Sequence, residues 1–250
     1  MISRLNLYDT EGNKINVESI GLFGLKLRIP APSYTVERDT IPGGQTIILD
    51  KQMNPRQLVA EFMTKAEDYR DSFRLRDNLY ELLGHGNEIY IGEIHVPGKW
   101  WKVSLEDWEP ERANRTVSRI DIPLFCASGV SESVNLIKKK FSSSTFTFKN
   151  EGNQVIDPRK QNETEITFKG ASTNLMLMNN TTGDVWKYNG STIPTDIISL
   201  KGVQAFKNGS SIFGQTNKKL LTIAIGNNEF TVSGASGDFE LTISTRFYFL

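Results

Sequence analysis

The residues whose types and spacing could do chemistry crowd between positions 100 and 109, where Trp100, Trp101 and Trp108 lie beside Glu106, Asp107 and Glu109. Indole rings stack on sugars, and two carboxylates can act as acid and base, so the chemistry would be glycoside hydrolysis with Glu106 and Glu109 as the pair. Alternation argues otherwise. Trp101, Val103 and Leu105 share one face of a strand, which makes Trp101 a core residue and places Glu106 and Trp108 on the opposite face. The other reactive side chains are few. His85 follows a helix, where the dipole favours it, and His95 falls on a strand expected over 90–96. The single cysteine, Cys126, sits in the apolar run Ile122-Pro123-Leu124-Phe125-Cys126-Ala127 and reads as a buried thiol. Without a His/Cys cluster no zinc site is expected. Without a nucleophile elbow, phosphate loop or dinucleotide fingerprint, neither a cofactor nor an enzymatic activity is expected.

Binding without catalysis needs less. Trp186 and Tyr188, among asparagines, could form an aromatic platform for a glycan. They also alternate with Val185 and Lys187, as cross-strand packing requires, and that is the simpler reading. Lys138, Lys139 and Lys140 read as a solvated face, not a phosphate site. Lys+Arg and Asp+Glu each number 29, and a net charge of zero argues against a dedicated nucleic-acid binder. Hydrophobic residues are 38% and charged residues 23%, the balance of a globular protein. The N-terminus shows no apolar signal core and no stretch has the length of a membrane span, so synthesis in a reducing cytoplasm without membrane insertion is expected.

These residues must be positioned mainly by strands, because most of the chain reads in period two. Residues 22–29 alternate, residues 34–39 follow, Pro42-Gly43-Gly44 supplies a turn, and residues 46–49 return. Further strands are expected at 57–63, 101–105 and 120–124, the last two joined by a polar connection at 109–114 in a long hairpin. One segment breaks the pattern. Leu75, Leu79, Leu82 and Leu83 have the spacing of a helical face over 71–83, with Asp71 or Ser72 as cap and Gly84 and Gly86 as terminator. A small, polar stretch at 127–133 suggests a boundary, dividing the chain into domains 1–131 and 132–250. The second half is expected to hold strands at 145–148, 164–168, 174–178, 185–188, 197–200, 220–225 and 239–249, the rhythm of an antiparallel sandwich.

The order of these elements resembles a known family. Ile41–Leu49, Tyr80-Glu81-Leu82-Leu83, Trp100–Leu105 and Arg119–Cys126 in the first half are similar to the N-terminal domain of siphophage distal tail proteins. Residues 148–152, 165–170, 178–184 and 239–248 continue the likeness. The motifs are short, and their order carries the resemblance. Ile41-Pro42-Gly43-Gly44 departs from relatives that carry a charge after Pro-Gly, and the chain lacks an inserted carbohydrate-binding module. The resemblance implies a mainly β protein of two domains: a ring-forming, sandwich-like N-terminal domain with one α-helix and a β-hairpin, and a galectin-like C-terminal sandwich. It implies a structural hub at the tip of a long non-contractile phage tail, forming a homohexameric ring. That ring would join the tail tube protein to the tail-associated protein and to receptor-binding proteins. Ile41, Gly43, Gly44 and Ile47 of the hairpin are the expected ring contacts. The alternative is a glycan-binding adhesion module using Trp186 and Tyr188.

Overall fold

The computed structural model describes residues 3–40, 42–83, 86, 88–109, 111–112, 116–160 and 163–250, with Arg112 by its backbone alone. The chain is mainly β and forms two compact units, Met1–Glu132 with Leu250, and Ser133–Phe249.

The first unit contains β1 (Leu5–Tyr8), β2 (Lys14–Ile15), β3 (Leu22–Arg28), β4 (Tyr34–Thr40), β5 (Thr46–Met53), β6 (Arg56–Lys65), α1 (Tyr69–Leu83), β7 (Glu88–Glu93), β8 (Lys99–Leu105), β9 (Glu111–Arg112) and β10 (Val117–Cys126). The main sheet runs β2-β1-β7-β8-β10-β6-β3, with β9 added to β10. Its longest ladder pairs β6 with β10 from Arg56↔Cys126 to Val117↔Lys65. Period-two burial follows. Leu58, Ala60 and Phe62 of β6 meet Ile120, Ile122, Leu124 and Cys126 of β10 in one core. Each large side chain buried here contributes roughly 1.5–3 kcal/mol.

The helix starts two residues before Asp71. Asp68 is its cap, because the Asp71 amide donates to Asp68 Oδ1 at 2.8 Å while Asp71 Oδ2 accepts from the Glu67 amide at 2.9 Å. Leu75, Leu79 and Leu83 are buried, while Leu82, at the edge of their stripe, is 36% exposed. Gly84 lies outside the described residues. The strand expected over 90–96 stops at Glu93, and His95 is exposed in the turn that follows. Both Trp100 and Trp101 are buried, on opposite faces of β8. Trp100 stacks on Tyr90 with centroids 4.2 Å apart and donates from Nε1 to Glu132 Oε1 at 3.0 Å. Trp101 joins the main core.

β11 (Ser131–Ser133) straddles the division, and the second unit contains β12 (Ile137–Phe141), β13 (Thr145–Asn150), β14 (Thr164–Asn179), β15 (Asp184–Lys187), β16 (Ser191–Thr192), β17 (Ile197–Lys201), β18 (Gln204–Lys207), β19 (Ser210–Ser211), β20 (Gly226–Thr245) and β21 (Tyr248–Phe249). One antiparallel sheet runs β12-β20-β14-β17-β18-β19, with β13 on β20 and β15 and β16 on β14. The strands expected at 164–168 and 174–178 are one continuous β14, and the last long strand begins at Gly226. Both bend where their ladder changes register, between Gly170 and Ser172 and again before Met176. Gly234 marks the bend in β20. Its φ is 83°, and a Cβ there would come within 2.6 Å of the Thr173 carbonyl oxygen.

Residues 220–225 form no strand; Ile223 makes an isolated bridge to Ile156. Side chains replace the missing ladder. Thr222 donates its amide to Asp184 Oδ2 at 2.9 Å, and its carbonyl accepts from Asn179 Nδ2 at 2.8 Å. Ala224 donates to Asn228 Oδ1 at 2.8 Å and accepts from Asn228 Nδ2 at 2.9 Å. Burial pushes the Asp184 carboxyl upward, but hydrogen bonds from the Thr222 hydroxyl and amide and from Thr182 outweigh it, so it titrates below the usual range.

Candidate functional site

The strongest site for interaction is the hairpin of β4 and β5. Its ladder runs from Tyr34↔Met53 to Thr40↔Thr46 and, among the described residues, forms a two-stranded sheet of its own. β-branched residues and the turn chemistry of Pro42-Gly43-Gly44 favour it locally. Gly43 has φ 74° with open space around it, so the tip carries no side chain there. Gly44 and Ile47 are exposed, and Ile41 lies outside the described residues. The base is tied by Thr35 Oγ1 donating to Asn54 Oδ1 at 2.7 Å and by the Asn54 amide donating to the Ser33 carbonyl at 2.9 Å. Lys51 lies over the Tyr34 ring, 4.3 Å from its centroid.

Neither face of this hairpin is covered. Ile47, Ile48 and Leu49 are 46%, 62% and 60% exposed. The register shift between Glu37 and Arg38 pairs Asp50 with Glu37 but Ile48 with Arg38, leaving Leu49 as the extra residue of a bulge. An isolated two-stranded hairpin is marginal in water, and an uncovered aliphatic run on a free edge invites pairing with another chain.

The remaining sequence candidates are not brought together. Trp186 and Tyr188 are 3% and 4% exposed, so neither ring is presented as a platform, and the glycan reading is corrected on that ground. Trp186 lines a small hollow together with Leu200, Phe213 and Lys218. Glu106 accepts from Gln57 Nε2 at 3.0 Å, while Glu109 is exposed beyond the strand end. Trp108 is not on the face opposite Trp101. Because β8 ends at Leu105, alternation lapses, and Trp108 packs back on the core, 5.3 Å from the Tyr80 ring. Cys126 is fully buried, with Sγ 3.6 Å from the Val130 carbonyl oxygen. Lys138, Lys139 and Lys140 are exposed on β12, and Lys140 pairs with Glu240 at 3.0 Å. Among the described residues no cluster of three or more His, Cys, Asp or Glu could hold a metal, and no helix is long and apolar enough to cross a membrane.

Two features escaped the sequence reading. Arg56 is 4% exposed, and its Nε and Nη2 meet no acceptor among the described residues, while its guanidinium lies 5.4 Å from the Trp101 ring. An Arg at an inward position of an alternating strand was the available signal. The outer side of α1 carries Tyr69, Phe73 and Tyr80, all exposed, at a spacing that puts them on one stripe. Tyr69 and Phe73 meet edge to face at 5.2 Å, and Arg76 lies over Phe73 at 5.4 Å.

Residues 10–126 match the family model of the phage tail protein RIFT-related domain. The whole chain has the fold of the crystal structure of SPP1 Dit, a protein described as a paradigm of hub adsorption apparatus in Gram-positive infecting phages. The TM-score is 0.75 at 14% identity, covering 97% of this chain and 99% of that one. A chain of the phage P2 baseplate in its activated conformation with calcium gives a TM-score of 0.46 at 8% identity, over 98% of both chains. No curated protein matches the chain in sequence. The resemblance to siphophage distal tail proteins is thereby supported on both counts, family model and fold.

Proposed function

We propose that this protein is a structural hub subunit at the tip of a long non-contractile phage tail, made in the bacterial host cytoplasm and assembled into a homohexameric ring. The ring joins the tail tube protein to the tail-associated protein, and receptor-binding proteins attach at its periphery. It acts by contact and not by catalysis. The observation that carries the reading is the β4–β5 hairpin, which exposes Ile47, Ile48 and Leu49 in the unit that matches the phage tail domain model. The ring contacts expected at Gly43, Gly44 and Ile47 lie on this hairpin, and a closed ring needs such a projecting patch to meet a different patch on its neighbour.

The test is the mass in solution, by light scattering after size exclusion, alone and with the tail-associated protein. A hexamer is expected. Full burial of an Ile or Leu side chain contributes roughly 1.5–3 kcal/mol. Three that start about half exposed therefore supply about 3–4 kcal/mol per contact, or two to three orders of magnitude in affinity. The triple variant Ile47→Ser, Ile48→Ser, Leu49→Ser accordingly dissociates to monomers at concentrations where the parent is a ring. A parent chain that stays monomeric both alone and with tail partners refutes the proposal.

A further inference from the structure

We propose that Lys138, Lys139 and Lys140 guard an open sheet edge: they keep β12 of one copy of the chain from adding to β12 of another. β12 is the end strand of its sheet, paired with β20 from Ile137↔Thr245 to Phe141↔Leu241. Among the described residues no second strand pairs with it, so its outer side presents a row of backbone donors and acceptors that can template a further strand. The opposite end of the sheet is β19, which spans only Ser210–Ser211 and offers almost no edge. The three lysines do not form a single face. Residues directly opposite in an antiparallel pair share a face. Lys138 and Lys140 stand opposite Ser244 and Thr242, whereas Lys139 stands opposite Ile243, which is fully buried. Lys139 is thus on the core face of the sheet, and it lines a hollow with Ile137, Phe141, Phe148 and Phe247.

On an inner strand that position would hold an apolar residue. On the end strand Lys139 stays exposed, and an inward-pointing charge makes an edge unfit for pairing, because a new neighbour would cover it. Lys140 pairs with Glu240, while Lys138 and Lys139 have no acidic partner among the described residues. The register completes the guard. Two β12 strands that meet antiparallel, core face with core face, must centre on Lys138, Lys139 or Lys140 to form more than one pair within the strand. Centred on Lys139, that residue meets its own copy and Lys138 meets the other chain's Lys140. Centred on Lys138 or Lys140, that lysine meets its own copy. Every such register sets like charges opposite one another, which is destabilising.

The neutral variant Lys138→Thr, Lys139→Val, Lys140→Thr tests this in the full chain. Relieving the opposed lysines is expected to raise association through this edge by roughly tenfold or more. Sedimentation velocity over a concentration series should then show a mass above the parent's own, and amide exchange should slow across residues 137–141. A variant whose mass follows the parent's at every concentration overturns the proposal, as does one that associates without added protection there. Arginine at all three positions keeps the charge and is expected to behave as the parent does; an arginine variant that associates like the neutral one also overturns it. Should the neutral variant misfold, the reversed chain Lys138→Glu, Lys139→Glu, Lys140→Glu takes its place. Alone it is expected to keep the parent's mass, and mixed with the parent to gain mass that high salt removes; a mixture without that gain overturns the proposal. Each readout is relative to the parent, so the outcome does not depend on the ring reading.

Discussion

Replacing Asn228 by alanine removes four hydrogen bonds from the interior of the second unit. Asn228 Oδ1 accepts from the Ala224 amide at 2.8 Å and from Asn179 Nδ2 at 3.0 Å, and its Nδ2 donates to the carbonyls of Ala224 at 2.9 Å and Gly226 at 3.0 Å. A hydrogen bond contributes about 1 kcal/mol net, and a buried group left without a partner costs about 1–3 kcal/mol. Asn179 keeps its bond to the Thr222 carbonyl, so the loss concentrates on Ala224. Ala224 is only partly buried, and water can meet part of its need. The sum is about 3–4 kcal/mol. For a unit of this size that is a fall of roughly 12–16 °C in melting temperature. Urea unfolding and a calorimetric scan of the full chain measure it, with Asn228→Asp as a companion. The carboxylate keeps an acceptor for the Ala224 amide but turns oxygen toward two carbonyls, so it is expected to destabilise at least as much. A loss below about 1 kcal/mol for the alanine variant refutes the claim that side chains stand in for the missing ladder of residues 220–225.

Arg56→Met keeps the length of the side chain and removes a buried charge whose Nε and Nη2 lack acceptors among the described residues. Because an unpaired buried charge costs more than its contact with the Trp101 ring returns, chemical denaturation should show a gain of about 1–2 kcal/mol; a loss would show that the guanidinium is needed where it lies. Asp196 accepts from the Ile193 amide, Asn208 Nδ2 and Lys207 Nζ, which hold its pKa at about 2 against an ordinary 3.8. A carboxyl depressed in the folded state stabilises fully above its unfolded pKa and loses that contribution as pH falls through the folded one. The melting temperature of the parent should therefore exceed that of Asp196→Asn at neutral pH and converge on it between about 4 and 2; a gap independent of pH contradicts the assignment.

Period-two patterning made most of the first unit legible, because Leu58, Phe62, Ile120, Ile122 and Leu124 alternate strictly with outward residues. The hairpin was legible from its turn, since Pro-Gly-Gly between β-branched runs admits few other structures. What failed did so for local reasons. The last strand was expected only from 239, yet Gly234 and Gly237, both at positive φ, lie inside one long strand that begins at Gly226 and bends without ending. Residues 220–225 have strand composition but find side-chain partners in place of a neighbouring backbone. Trp108 lies past the end of β8, where alternation no longer fixes its face. At the candidate site, Trp186 and Tyr188 showed the limit of side-chain identity: a ring suited to stacking on a sugar is equally suited to a core, and only burial distinguishes them. The aromatic stripe of α1 was readable from its spacing, but a single amphipathic pattern had already accounted for the helix.

The ladder of β20 has a consequence for the order in which the chain acquires structure. β20 closes against β12, β13 and β14, and its pairs with β12 and with the first part of β14 join residues such as Ile137 and Thr245, or Thr164 and Thr245. Contacts of such sequence separation require closing long loops before any ladder is gained, which slows folding. Until β20 arrives, β12 and β13 lack the strand they pair with, and exposed edges of that kind are where chains aggregate. The first unit, apart from Leu250, is complete by Glu132 and emerges from the ribosome earlier. Its bare hairpin is thus on display while the second unit is still assembling its sheet. A subunit that began to associate through that hairpin at once would carry unfinished second units into whatever assembly it joined. Timing of assembly would then depend on how fast the last long strand docks.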